Sequence, residues 1–239
     1  MILGILQARM SSTRLPGKVL MPLAGAPMVL RQMERLRRAR RLDRLVVATS
    51  TETSDDPLVT ALLAADVAVH RGPLDNVLAR FIGALDAHPA EHVVRLTADC
   101  PLADAEVLDA AIALHLDQSA DYTSNTPESF AFPKGLDVEV ITASALRQAA
   151  AEASSHEDFE HVTWGVWNHP ERWKIAWLRS ANADDGDIRW TVDTPDDYAF
   201  VAAVYDGLYA ARPDFSTSEV EAFVHARPDL ASFGGHRRI

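Results

Sequence analysis

Cysteine is almost absent from this chain of 239 residues: Cys100 stands alone, so no disulfide can form within the chain. No group of histidines and cysteines has the spacing of a zinc site. Apolar runs such as residues 45–48 are far shorter than the roughly 20 residues that cross a bilayer. The first residues also lack the basic and small-residue pattern of a signal peptide. These absences predict a cytoplasmic protein with no membrane partner.

An excess of positive charge is also missing, since the formal net charge is −11. Proteins that bind nucleic acid usually present a broad basic face, so no nucleic-acid partner is expected. Residues 1–50 nevertheless hold ten of the 23 lysines and arginines and only two of the 34 acidic residues. A local basic region on an acidic protein suits a small polyanion such as a nucleoside triphosphate. The alternative is that the arginines at 35–41 form the solvated face of a helix.

Apolar periodicity predicts an alternation of strands and helices in the first half of the chain. Short apolar runs typical of buried parallel strands cover residues 2–6, 44–48, 67–70 and 92–96. Segments with helical spacing follow them at 27–36, 57–65, 75–85 and 107–114. Asp75 and Asp104 are expected to cap the last two of these helices. The pattern predicts an α/β fold with a doubly wound, mostly parallel sheet flanked by helices. Ligands bind such sheets at the carboxyl ends of the strands, where Arg9 and Asp99 lie.

The second half of the chain is less regular. Strand character returns at 137–141 and 173–178, and helical spacing at 143–153, 159–167 and 195–211. Because no repeat or low-complexity linker divides the sequence, residues 1–239 are expected to form a single domain with an inserted arm.

A loop rich in basic and small polar residues follows the first strand, at residues 7–18. Its basic side chains are Arg9, Arg14 and Lys18, and small polar residues at 11–13 separate the first two. Fixed cations and exposed backbone N–H groups are what a triphosphate needs in place of its water shell. The GxxxxGK[ST] and GxGxxG patterns are both absent. The loop therefore predicts a phosphate site of another type, with a plain basic surface loop as the alternative.

The loop and several later segments resemble the cytidylyltransferases that act on acylneuraminate or 3-deoxy-manno-octulosonate, and among them the branch of the spore coat polysaccharide biosynthesis protein F. The matching segments are 6–20, 47–56, 71–81, 96–102, 134–140, 156–163 and 190–198. The resemblance implies an enzyme that joins CMP from CTP to a sugar and releases pyrophosphate. It implies a nucleotide-binding half at 1–125 and a half at 126–239 that holds the sugar site, the arm and the last helices.

The resemblance also assigns roles to individual residues. Nucleotide binding is implied for Leu6, Ala8, Arg9, Ser11, Ser12, Arg14, Lys18, Arg71, Arg80 and Ala98. Catalytic roles are implied for Arg9, Lys18, Asp99 and Asp193.

Asp99 is the strongest candidate for a metal ligand. It directly follows an apolar strand and precedes Pro101. Mg²⁺ prefers one or two carboxylates together with phosphate oxygens and water. The alternative is that Asp99 caps the following turn. The resemblance supplies Asp193 as the second Mg²⁺ ligand and places Asp196 at a helix N-terminus, where the helix dipole favours a carboxylate.

Four residues are implied to bind the sugar: Asp137, Glu139, Glu160 and His161. Alternation along a strand points Asp137 and Glu139 to the same face, and a solvated strand face is the equally open alternative. Glu160 and His161 lack the H-E-x-x-H spacing of a zinc protease. The acceptor is expected to be an acidic sugar such as a nonulosonic or octulosonic acid.

All five tryptophans lie between residues 164 and 190. Packing in the core or at a subunit interface is expected of them, and the resemblance implies a homodimer with residues 164–177 as the arm. Two rival functions are weighed against the sugar cytidylyltransferase. A glycosyltransferase can use a similar sheet, but it often carries an Asp-x-Asp motif that residues 97–99 lack. The other rival is a nucleotide-binding partner protein without turnover.

Overall fold

The computed structural model describes residues 1–127, 131–181 and 185–239. The strands in these ranges are β1 (Ile2–Gln7), β2 (Pro22–Leu23), β3 (Ala26–Pro27), β4 (Arg44–Ser50), β5 (Val69–Gly72), β6 (His92–Thr97), β7 (Tyr122–Ser124), β8 (Glu139–Thr142) and β9 (Ile175–Trp177). The helices are α1 (Met28–Leu36), α2 (Asp56–Ala64), α3 (Val77–Ala87), α4 (Ala105–Asp117), α5 (Ala143–Glu152), α6 (His156–His161), α7 (Trp164–Trp167), α8 (Pro195–Leu208) and α9 (Thr217–His225).

Seven of the described strands form one sheet in the order β5-β4-β1-β6-β8-β7-β9. The first four strands in that order are parallel, with Gln7 of β1 opposite Thr97 of β6. Strand β8 runs antiparallel to both of its neighbours, and β9 is parallel to β7. The predicted α/β fold with a mostly parallel sheet is confirmed. The carboxyl ends of β1 and β6 lie side by side, which brings the loops after them together.

Helices cover both faces of the sheet. Alternation along β1 sends Leu3 and Ile5 into the layer with α3 and α5, and Ile2 and Leu6 into the layer with α1, α2 and α4. All four side chains are buried. Burial of each contributes about 1.5–3 kcal/mol to stability. The rigid strand therefore ends at a defined place, immediately before the basic loop.

A third apolar cluster joins α8 and α9 to the segment that leads into α8. Trp190, Phe200 and Tyr205 are fully buried in it. The hydroxyl of Tyr205 donates to the carbonyl of Pro101, 2.7 Å away. This packing places Asp193, which lies between Trp190 and α8, beside the loop after β6.

Two local predictions in the first half of the chain are corrected by the structure, and one is confirmed. Asn76, and not Asp75, caps α3, because its side-chain oxygen accepts the N–H of Ala79 at 2.8 Å. The third strand, expected at 67–70, is displaced to Val69–Gly72. Asp104 caps α4 as expected, accepting the N–H groups of Glu106 and Val107.

The single helix expected at 159–167 is instead two short helices, α6 and α7. Val162 lies between them in a left-handed conformation with φ 51°. A β-branched residue rarely adopts this conformation. Its side chain is buried, and the N–H of Thr163 donates to the carbonyl of His161 across the turn. The turn separates Glu160 from Thr163, whose hydroxyl donates to the carboxylate of Glu139 at 3.1 Å.

None of the helices in the described part of the chain has the length and apolar character that a membrane crossing requires.

A pair of histidines is packed between β6, β7 and α4. The ring nitrogens His92 Nδ1 and His115 Nε2 lie 3.1 Å apart, and Nδ1 of His115 lies 3.0 Å from the hydroxyl of Thr123. His115 is 1% exposed. Burial, followed by the charge of His92, lowers the pKa of His115 from 6.5 to about 4.

This low pKa predicts that stability falls with pH in a defined window. Between pH 6.5 and 4 the unfolded chain binds a proton at His115 that the folded chain does not, so stability decreases as the pH decreases. From pH 7.5 to 5 the loss attributable to His115 is about 2 kcal/mol. Urea unfolding of the wild type and of His115→Gln at the two pH values measures it. Equal losses in the two proteins would contradict the assignment.

Candidate functional site

The largest concentration of predicted site residues lies in a cleft of about 240 Å³ at the carboxyl ends of β1 and β6. It is lined by Gln7, Ala8, Arg9, Ser12, Thr13, Arg14, Lys18, Val19, Val77, Arg80, Thr97, Ala98, Asp99, Glu160 and Asp193. We call it the main cleft. The main cleft therefore lies at the carboxyl ends of parallel strands, where sheets of this type bind their ligands.

The basic loop after β1 is held in place by Asp55, which is fully buried. Its carboxylate accepts the N–H of Met10 at 2.7 Å, the hydroxyl of Thr49 at 3.0 Å and the N–H of Ser50 at 3.1 Å. Burial alone would raise the pKa of Asp55, but these hydrogen bonds hold it below its usual value. Gly17 lies at the end of the loop with φ 73°, and its N–H donates to the carbonyl of Met10. Sequence reasoning did not assign a role to Asp55.

Lys18 lies between the two carboxylates that were predicted as metal ligands. Its side-chain nitrogen is 3.1 Å from Oδ1 of Asp193 and 3.5 Å from Oδ2 of Asp99. It also donates to the carbonyl of Val192 at 2.6 Å. The residue is 8% exposed, so the ammonium is largely removed from water. The fold thus brings Asp99 and Asp193 together around one buried cation.

The Asp193 carboxylate is held from both sides. Oδ1 also pairs with Arg14 at 2.9 Å, and Oδ2 accepts from Arg189 at 2.6 Å. Burial alone would raise the pKa of Asp193, but Lys18, Arg189 and Arg14 hold it below its usual value. Asp193 therefore stays ionised and has one orientation toward the main cleft.

Asp197 was missed by sequence reasoning and proves to be the centre of this region. It is fully buried. It accepts from the guanidinium groups of Arg189 and Arg238 and from the N–H groups of Asp193 and Thr194, at 2.9–3.2 Å. Although burial opposes ionisation, these donors hold the pKa of Asp197 far below its ordinary value. Asp196, the residue predicted at the helix N-terminus, is in the first turn of α8.

The residues of the main cleft fit a magnesium ion that arrives with a nucleotide. Asp99 and Asp193 are two carboxylates that flank the ammonium of Lys18. Two carboxylates match the number that Mg²⁺ commonly takes from a protein. Among the residues that the structure describes, no cluster of three or more histidines, cysteines or acids offers a complete metal site. The remaining ligands would thus be phosphate oxygens and water.

The charges of the main cleft lead to the same conclusion. Four basic side chains line it, together with three acidic ones that neutralise most of their charge. A nucleoside triphosphate carries several negative charges, so it binds well here only with an additional cation.

Arg80 and Arg9 lie at the part of the main cleft nearest to α3 and α6. Arg80 is 2% exposed, and its Nε has no hydrogen-bond partner among the described residues. Burial and the nearby charge of Arg9 lower its pKa. Arg9 pairs with Glu160 across the cleft at 3.8 Å. A buried donor without a partner is costly, so Nε of Arg80 has a hydrogen-bonding capacity that the described residues leave unused.

Three of the residues implied to bind nucleotide do not line the main cleft. Leu6 is buried in the core below the loop, and Ser11 is exposed. Arg71 donates to the carbonyls of Ser50 and Glu52 at 2.8 and 2.9 Å, and so holds the loop after β4. The structure therefore places these three residues outside the lining of the main cleft.

A second cleft of about 280 Å³ adjoins the first and shares Thr97 with it. Its lining consists of Arg95, Thr97, Thr126, Phe132, Lys134, Asp137, Glu139 and Gly186. We call it the second cleft.

Two of the residues implied to bind the sugar, Asp137 and Glu139, border the second cleft. The carboxylate of Glu139 already accepts from Arg95 at 2.7 Å, from the hydroxyl of Tyr122 at 3.0 Å and from that of Thr163 at 3.1 Å. Burial raises the pKa of Asp137 to about 6, with the charges of Asp99 and Glu139 adding to the effect.

The other two residues implied to bind the sugar are separated by the structure. Glu160 borders the main cleft. His161 is exposed and lies beside the ring of Trp164, with 6.1 Å between the ring centroids, and it lines neither cleft.

The chain is similar over most of its length to proteins of known family. The family model described as cytidylyltransferase matches residues 3–165. The spore coat polysaccharide biosynthesis protein SpsF of Bacillus subtilis (strain 168) is 35% identical over 237 residues, which cover 97% of each chain. Among solved structures, a cytidylyltransferase from Leptospira borgpetersenii serovar Hardjo-bovis (strain JB197) has a TM-score of 0.89 at 27% identity, covering 96% of this chain and 95% of that one. A CMP:2-keto-3-deoxy-manno-octonic acid synthetase complexed with CTP has a TM-score of 0.64 at 16% identity, covering 86% and 98%, and so shares the fold.

Proposed function

This chain belongs to the cytidylyltransferase family, and on that premise we propose that it transfers CMP from CTP to a sugar hydroxyl for surface polysaccharide or glycan synthesis. The observation that carries the proposal is the convergence of Asp99 and Asp193 on Lys18 in a cleft lined by Arg9, Arg14 and Arg80. The name of the Bacillus subtilis relative supports a polysaccharide pathway, and the CTP-bound neighbour supports CTP as the donor.

The main cleft is assigned to CTP. Arg9 and Arg14 are partly exposed cations at its rim and bind oxygens of the triphosphate. Arg80, buried at the other end, binds the nucleoside part. Asp99 and Asp193 would hold Mg²⁺, which supplies charge neutralisation at the phosphates when bound. Lys18 fixes the distance between the two carboxylates.

In the reaction, the oxygen of the acceptor hydroxyl forms a bond to the α-phosphorus of CTP, and its proton passes to solvent water. The bond from that phosphorus to the oxygen bridging the β-phosphate breaks, and pyrophosphate leaves. Arg9 and Arg14 stabilise the charge that develops on the leaving pyrophosphate. The chain contributes mainly position and electrostatics, as in other phosphoryl transfers.

The second cleft is assigned to the acceptor, an acidic sugar. It adjoins the main cleft at Thr97, so an acceptor there has access to the α-phosphate. Lys134 is an exposed cation in its lining and suits the carboxylate of a nonulosonic or octulosonic acid. Glu139, fully engaged by its three donors, keeps the shape of this cleft. Glu160 lines the main cleft and His161 lines neither cleft, so this proposal assigns neither of them to the acceptor.

A cytoplasmic homodimer is the proposed assembly. Strand β9 is the last strand of the sheet. The tryptophans at 167, 173 and 177 are partly buried against the layer that contains α3 and α5. Residues 164–177 therefore form the proposed contact, through aromatic side chains that interfaces favour.

The test is pyrophosphate release with Mg²⁺, offering each of the four nucleoside triphosphates with a panel of acidic and neutral sugars. Release with CTP and an acidic sugar is expected. Release with another triphosphate, or with neutral sugars only, would change the substrate assignment. No release with any pair, together with tight binding of a nucleoside diphosphate sugar, would indicate a glycosyltransferase instead.

A further inference from the structure

Arg238 is a buried arginine far from the main cleft in sequence and outside the region that the family model matches. Its side chain is 0% exposed and lies 4.8 Å above the ring of Phe200. All three of its donor groups are used. Nε donates to the carbonyl of Phe233 at 3.0 Å, Nη1 to the carbonyl of Arg189 at 2.6 Å, and Nη2 to Oδ1 of Asp197 at 2.9 Å.

These hydrogen bonds lead directly to the Asp193 carboxylate. The carboxylate of Asp197 accepts hydrogen bonds from the guanidinium groups of Arg238 and Arg189. It also accepts one from the N–H of Asp193 at 3.0 Å. Arg189 in turn donates to Oδ2 of Asp193 at 2.6 Å. Arg238 therefore holds both the side chain and the backbone of the residues that orient Asp193.

The backbone around Arg238 strengthens the same connection. The indole N–H of Trp190 donates to the carbonyl of Arg238 at 2.9 Å, and the N–H of Arg189 donates to the carbonyl of Arg237 at 2.9 Å. Residues 237–238 are thus bonded along the segment that ends at Asp193.

Stability alone is a poor reason for this arrangement. Burying charged groups costs free energy that their pairing only partly returns, and well-packed apolar residues often serve as well or better. The buried arginine instead determines orientation, because the N–H groups of its planar guanidinium hold two acceptor groups at fixed angles to each other. Both of these acceptors, the carbonyl of Arg189 and the carboxylate of Asp197, lie next to Asp193 in the network.

We propose that Arg238 is a positioning residue for nucleotidyl transfer, which acts through Asp197 and Arg189 to aim the Asp193 carboxylate at the space shared with Lys18 and Asp99. The proposal rests on the proposed function, because it needs Asp193 to act on the nucleotide and its metal. The proposal adds to the proposed function a residue that contacts neither the nucleotide nor the metal ion. Small displacements of a catalytic group reduce rates steeply.

The proposal is tested in the full chain with Arg238→Met, which keeps an unbranched apolar stem, and Arg238→Lys, which keeps the charge but loses the fork. We expect kcat to fall about 10- to 100-fold in Arg238→Met and less in Arg238→Lys, with KM for CTP changed less than about 3-fold. Arg227→Met is the matched control, because its side chain pairs with Asp229 on the surface and takes no part in this network. It is expected to keep wild-type kcat.

A second readout separates positioning from folding. Manganese binding in the presence of CTP, followed by electron paramagnetic resonance, is expected to weaken about 10-fold in Arg238→Met while circular dichroism stays unchanged. Wild-type kcat and wild-type manganese affinity in a folded Arg238→Met would overturn the proposal. If that variant does not fold, Arg238→Lys decides, and wild-type values in it overturn the proposal as well. Wild-type protein that neither binds nor consumes CTP would instead overturn the proposed function.

Discussion

Replacing Asp99 with asparagine is expected to reduce CTP-dependent pyrophosphate release by about 10³-fold, because electrostatic groups at the reacting phosphates carry effects of this size. Asparagine keeps the shape of the side chain but removes the negative charge that a divalent cation requires. The protein should stay folded, since the Asp99 side chain is 31% exposed and lies outside the apolar clusters. Its only ion-pair partner among the described residues is Lys18, which keeps Asp193 and the carbonyl of Val192.

The measurement is kcat for the wild type and Asp99→Asn at several magnesium concentrations, together with thermal unfolding of both. Asp86→Asn is a suitable control, because Asp86 is an exposed acid that pairs with Arg147 on the surface. It should keep wild-type kcat. If Asp99→Asn retained more than about a tenth of wild-type kcat, Asp99 could not be a ligand at the reacting phosphates.

Replacing Asp197 with asparagine is expected to lower the free energy of unfolding by about 3 kcal/mol or more, the range found when one partner of a buried ion pair is lost. The change removes the carboxylate that pairs with Arg238 and one of the two carboxylates that pair with Arg189. It also places an amide donor among groups that are themselves donors. Asp196→Asn, one residue away and exposed, should cost less than about 1 kcal/mol.

Urea unfolding at pH 7 measures this difference, and its pH dependence supplies an internal check. The pKa of Asp197 is held far below its ordinary value of 3.8, so its contribution to stability is complete above that value. As the pH falls below about 4, the unfolded carboxyl gains a proton first and the gap between wild type and variant narrows. A difference in unfolding free energy between wild type and Asp197→Asn that stayed constant down to pH 2.5 would show that the charge of Asp197 does not cause the destabilisation. Equal losses of stability in Asp196→Asn and Asp197→Asn would show the same.

The fold of residues 1–125 was largely predictable because its signals are local. The strand at 2–6 and the helix after Pro27 follow from the spacing of apolar residues within each segment. Likewise, Asp104 was identifiable as a helix cap from its neighbours alone. The basic loop at 7–18 could be located because it follows a strand of a parallel sheet.

The predictions from the sequence were wrong where local sequence patterns favour more than one structure. Asp75 and Asn76 are both good capping residues, and only the backbone geometry of the turn decides that the second one caps α3. Residues 159–167 have helical spacing throughout, but the left-handed turn at Val162 divides them. That turn exists because Val162 is packed into the core while Thr163 bonds to Glu139, a contact between residues 24 positions apart.

The sequence by itself determined the fold class, the family and the location of the basic loop beside Asp99, since each depends on patterns within short segments. Only the tertiary structure decided that Lys18 lies between Asp99 and Asp193, that Glu139 is fully engaged, and that Asp197 and Arg238 form a buried pair. The physical reason is that a charged residue has the same identity in the sequence whether it is solvated or buried. Its burial and its partners depend on segments that meet only when the whole chain has packed.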